Sequence, residues 1–106
     1  MLLTASCSTQ YKLIGSWEEI GYKKEHLTFE ENGNMSFDNI KGPIEFKYEI
    51  KEKSDNIIKF NIIVYREGIE YKTALHTATF NTSDTIIIKN IDFPEVKENT
   101  YHKMKK

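Results

Sequence analysis

A single cysteine, Cys7, stands in the 106 residues, so no intramolecular disulfide can form and the fold must rest on its core. An excess of charge of one sign is also missing. Fifteen lysines and arginines face 16 aspartates and glutamates, with the lysines interleaved among glutamates, so the chain lacks the electrostatic footprint of a nucleic-acid binder. No apolar run approaches the ~20 residues of a membrane-spanning helix. There is no glycine-rich phosphate loop and no Gly-x-Ser-x-Gly elbow. The three histidines, His26, His76 and His102, fall on different predicted strands with no His-x-His or Glu-x-x-His spacing, whereas zinc needs three or four convergent ligands. Their placement reads as chance. Carboxylates are many, but no two are singled out for acid–base work. The expectation is a protein that is not an enzyme and holds no cofactor or metal.

What is present is alternation. Leu13, Gly15 and Trp17 share one face of an opening strand, where glycine permits a close approach and Trp17, the only tryptophan, plugs one end of the core. His26 to Glu31 and Met35 to Asp38 form a hairpin, with Asn32-Gly33 predicted to supply the positive φ angles of a tight turn. Lys41-Gly42-Pro43 reads as the next turn. The strand after it puts Ile44, Phe46, Tyr48 and Ile50 on a buried face and Glu45, Lys47, Glu49 and Lys51 in water, where they form cross-strand pairs. The most apolar strand, Ile57 to Arg66, buries Ile58, Phe60, Ile62 and Val64; Ile57, Ile63 and Tyr65 interrupt its polar face. Glu67-Gly68 turns into a strand from Ile69 to Phe80, with Ile69, Tyr71, Thr73, Leu75, Thr77 and Thr79 on one side and Glu70, Lys72, Ala74, His76, Ala78 and Phe80 on the other. Threonines and small alanines at successive positions fit a strand that bends or lies near a mouth. Thr85 to Lys89 and Asn99 to Met104 complete eight strands, with a Pro94-containing loop between them and no helical period. Short strands at turn spacings of about ten residues predict a sandwich or barrel. Full closure leaves no exposed edges, so an all-β antiparallel eight-stranded up-and-down barrel is the preferred fold and a β-sandwich the alternative.

The start of the chain has its own pattern. Met1-Leu2-Leu3 gives way to Thr4-Ala5-Ser6-Cys7 and then to polar residues, which looks like the tail of a bacterial lipoprotein signal peptide whose cysteine is lipidated. Residues 1–10 are therefore expected to be a signal remnant and linker, and 11–106 a single barrel domain at the bacterial cell envelope, attached to the membrane through a lipid on Cys7. Lys103, Lys105 and Lys106 read as a solvated tail.

Gly15-Ser16-Trp17 near the start of an all-β meander resembles the Gly-x-Trp element of the lipocalin and fatty-acid-binding superfamily. Together with Leu27-Thr28-Phe29, Asn32-Gly33, Ser83-Asp84-Thr85 and Tyr101, it is similar to small bacterial lipocalin-like lipoprotein domains. The resemblance implies a barrel and an envelope location more than an activity. The chain is shorter than a typical lipocalin and has no C-terminal helix, which implies a small cavity.

Two roles follow. The first is a binding module that takes a small apolar or amphipathic ligand in the barrel mouth, with Trp17, Phe29, Phe37, Phe46, Tyr48 and Phe60 as the inward residues. So many rings predict a filled barrel or a small pocket. The second is an interaction module, an inhibitor, immunity-type protein or envelope assembly factor, with an envelope protein as partner and the apolar break at Ile57, Ile63 and Tyr65 as its surface.

Overall fold

A computed structural model describes residues 11–21, 25–39 and 42–104. Cys7 and the whole expected signal segment lie outside the described residues, as do Lys41, Lys105 and Lys106. The described chain contains eight strands and no helix: β1 (Gly15–Glu19), β2 (His26–Phe29), β3 (Asn34–Asn39), β4 (Gly42–Ser54), β5 (Ile57–Arg66), β6 (Ile69–Thr82), β7 (Thr85–Asn90) and β8 (Asn99–Lys103). Each pairs antiparallel with the next, and β8 returns to β1 through Trp17↔Lys103, Glu18↔His102 and Glu19↔Tyr101. The sheet is a closed up-and-down barrel.

Turn chemistry explains the sharp corners. Glu67 and Gly68 both adopt positive φ, 55° and 80°, as a two-residue hairpin with the right twist requires. The turn after β2 is different from the expected one. Only Gly33 is positive, at 90°, and it closes a longer loop in which Glu30 N–H donates to Asn34 O and Gly33 N–H to Glu30 O. Asn32 serves through its side chain, whose Oδ1 accepts the Asn34 N–H.

Because every connection is a hairpin, the start of β1 lies at the same end as turns 30–33, 55–56 and 83–84. That end is sealed. Leu13, Trp17, Phe29, Ile58, Phe60, Phe80 and Ile86 are almost wholly buried there. The rings meet edge to face: Phe29 on Tyr48 at 5.1 Å, Phe29 on Phe60 at 5.7 Å and Trp17 on Phe80 at 6.1 Å. Tyr11, ahead of β1, covers Phe80. Trp17 keeps its polar handle satisfied by donating Nε1–H to Leu13 O at 2.9 Å. Gly15 is needed for its backbone conformation. Its φ is +135°, and a Cβ on it would stand 2.9 Å from Cε of Lys103, whose ammonium lies 5.5 Å from the centre of the Trp17 ring. Lys103 is thus a half-buried part of the seal rather than a solvated tail.

Two expectations about β4 are corrected. Gly42 and Pro43 already belong to the strand, paired with Asn39 and Asp38. Ile44 and Ile50, expected inside, are 45% and 41% exposed. Ile44 sits at the rim, beyond the last β5 partner, and Ile50, opposite Phe60 of β5, lies past Lys47, where β4 no longer pairs with β3. The barrel wall also changes composition along β4. Residues Gly42 to Lys47 pair with β3, Lys47 to Ser54 pair with β5, and Val64 to Arg66 of β5 pair with β6 alone. On the wet face, Lys59 of β5 meets Glu52 of β4 at 3.8 Å, and Lys47 bonds Asn34 across from β3.

Candidate functional site

The other end of the barrel is hollow. A cavity of about 360 Å³ opens there, beneath the connection formed by residues 91–98. Its existence follows from the side chains the strands supply on approaching this mouth. Where the sealed end receives Trp17, Phe60 and Phe80, the mouth receives Ala74 and His76 from β6, Asn90 from β7 and Asn99 from β8. Small and polar groups cannot fill the space that rings fill below. One wall, from β2 to β5, is apolar: Leu27, Met35, Phe37, Phe46, Ile62 and Val64. The opposite wall carries the polar groups His76, Asn90, Asn99 and Tyr101 beside Ala74 and Ile88. Phe93 and Val96 lean in from the 91–98 connection, with Lys72 and Lys97 among the lining residues, Lys72 Nζ lying 5.2 Å from the centre of the Phe93 ring. That connection is tied to β6 by Ile91 N–H to Leu75 O and by Leu75 N–H to Asp92 Oδ2.

The six residues expected to line a pocket divide between the two halves. Phe37 and Phe46 line the cavity. Trp17, Phe29, Tyr48 and Phe60 do not; they form the packed mass beneath it, with Tyr48 Oη donating to Glu30 O at 2.6 Å.

The polar wall is where sequence reasoning looked least. His76 donates Nδ1–H to Ala74 O at 3.0 Å, and its ring stacks on Phe60 at 5.6 Å and 25°. Burial pushes its pKa below the ordinary 6.5, outweighing the upward effects of the Ala74 carbonyl and Asp92, so the imidazole is neutral at pH 7. The carbonyl fixes the tautomer and leaves Nε2 as an acceptor. Tyr101 has its phenol pKa pushed up to about 12, first by burial and then by Glu19 and Glu25, with an Asn99 hydrogen bond opposing. Its hydroxyl stays protonated at all ordinary pH. Glu19 Oε1, one strand away, is a buried oxygen with no partner among the described residues.

The histidines are not scattered at random. Glu18 on the outer face of β1 accepts from His26 on β2 through Oε2 at 3.2 Å, and its Oε1 lies 3.3 Å from Nε2 of His102 on β8. Barrel closure brings them together, and linear spacing cannot show it. The two rings approach opposite oxygens, and among the described residues no group of three or more His, Cys, Asp or Glu side chains is arranged to hold a metal ion.

No protein-family model, curated protein or solved structure matches the chain. The reading of the site rests on its own geometry.

Proposed function

We propose that the protein is a binding module of lipocalin-like type that takes a small apolar or amphipathic molecule in the hollow half of its barrel, held at the bacterial envelope by a lipid on Cys7. The observation that carries this reading is the 360 Å³ cavity, with one apolar and one polar wall, open at the mouth. Its size falls in the range of small-molecule sites, ~300–1,000 Å³, near the lower bound. An eight-stranded barrel has room for one small ligand at most. Support for the anchor is the Ala5-Ser6-Cys7 pattern. A melting-temperature and dye-displacement screen with fatty acids, retinoids and haem tests the binding reading, with a rise in melting temperature for at least one class as the expected outcome. Absence of any response, in the wild type and against Phe46→Ala as control, would remove it. Tryptophan emission is a poor reporter here, because Trp17 is fully buried in the sealed half. The anchor has a separate test: the intact mass of membrane-extracted protein should exceed that of the unmodified chain, and an unmodified Cys7 sinks it.

A second reading, the interaction module, has one observation in its favour. At the β5–β6 tip Ile69 is 72% exposed, flanked by Tyr65 and Tyr71. A partner captured from envelope extract by the wild type and lost with Ile69→Lys would support this role.

A further inference from the structure

The cavity's polar wall presents a pattern of donors and acceptors that selects the ligand's head group. His76 and Asn90 face one another as direct cross-strand partners of β6 and β7, which sets their Cβ atoms about 5 Å apart on the inner face. Each has one half of its hydrogen-bonding capacity already committed. His76 Nδ1–H is taken by Ala74 O, leaving the Nε2 lone pair; Asn90 Oδ1 accepts the Phe93 N–H at 2.9 Å, leaving the Nδ2 amide hydrogens. No residue among those described bonds either remaining group. The pair therefore offers one acceptor and one donor side by side, and stacking on Phe60 holds the acceptor in place.

We propose that the ligand is an uncharged apolar molecule bearing a hydroxyl, an alcohol or a phenol, whose O–H donates to His76 Nε2 and whose oxygen accepts from Asn90 Nδ2. This rests on the reading of the hollow half as a ligand site and names the chemistry of that site. A hydroxyl is donor and acceptor at a single atom, and stronger in both roles than a thiol. A plain hydrocarbon of the same shape would strip water from Nε2 and from the Asn90 amide and give nothing back. A carboxylate would set acceptor against acceptor at Nε2, and the protonation that would relieve this is opposed by the burial of the ring. The volume suits a molecule larger than benzene, which occupies a cavity of about 150 Å³.

Calorimetric titration of the full chain at neutral pH with β-naphthol, naphthalene and β-naphthoate tests this. The expected order is naphthol tightest by about tenfold over naphthalene, with naphthoate weakest. His76→Phe keeps the ring stack and should erase the naphthol advantage while leaving naphthalene binding in place. If that variant does not fold, imidazole nitrogen NMR of the wild type decides instead: the Nε2 resonance should move upfield with naphthol and stay put with naphthalene. Naphthol binding no tighter than naphthalene, naphthoate binding tightest through Lys72 and Lys97, or an Nε2 resonance unmoved by bound naphthol overturns the hydroxyl assignment and leaves the ligand site standing. Failure of all three compounds to bind overturns the hydroxyl assignment, and the screen with fatty acids, retinoids and haem then decides whether the ligand site stands.

Discussion

The two halves of this barrel are built from the same eight strands and do opposite things. At the sealed end Trp17, Phe29, Phe60 and Phe80 interlock with less than 2% of their surface exposed. At the mouth the same strands contribute Ala74, His76, Asn90 and Asn99, and the interior stays open. The contrast teaches that stability and recognition are separated along the barrel axis. Ring packing supplies the first, and what rings leave unfilled supplies the second.

Substitutions in the two halves should therefore diverge. Trp17→Ala removes the largest buried side chain and the Phe80 contact, and should cost about 3–5 kcal/mol in denaturant unfolding. Phe46→Ala, in a half-buried cavity wall, should cost about 1 kcal/mol and act instead on ligand affinity. Equal losses of stability would erase the distinction between the halves. Tyr101, at the boundary, gives the next effect. The folded chain keeps the phenol proton up to about pH 12, whereas an unfolded tyrosine releases it near 10. Its contribution is fully present below pH 10 and is lost between 10 and 12, as the unfolded state deprotonates first. Between those values the wild type should lose about 2–3 kcal/mol more than Tyr101→Phe, read from denaturation midpoints. The smallest effect is at His76. With its folded pKa depressed, the unfolded chain takes up the proton first on acidification, so stability declines as pH falls below 6.5. Asp92 draws the value up and Lys72 lines the same cavity, so His76→Phe should flatten the acid limb modestly and not abolish it. An acid limb identical in wild type and variant would show that the ring titrates as freely as in the unfolded chain.

Much of the architecture was legible because alternation is a local signal. The stretch from Ile57 to Arg66 read as one strand and is one, and its inward set Ile58, Phe60, Ile62 and Val64 points where period two puts it. What was not legible depends on events that leave no mark on composition. The end of β3 pairing before Ile50 and the end of β5 pairing near Ile44 leave both residues in solvent against their pattern. The division of the six expected pocket residues could not be read either, since register along the barrel axis, and not face, decides whether an inward ring meets other rings or a void. His76 sat on the same predicted face as Ala74, Ala78 and Phe80. Phe80 and two alanines on that face are the signal in the sequence that it points inward, and the spacing of the three histidines carries none.

The change of partners along β4 has a mechanical meaning. From Gly42 to Phe46 that strand is bonded to β3 only, and from Val64 to Arg66 the neighbouring strand is bonded to β6 only. Spreading the wall along this line breaks no ladder hydrogen bond. Phe46 and Val64, on its two sides, both face the cavity. Along this seam the wall of the mouth carries no backbone ladder, whereas β5 and β6 beside it stay paired from Ile57 to Arg66.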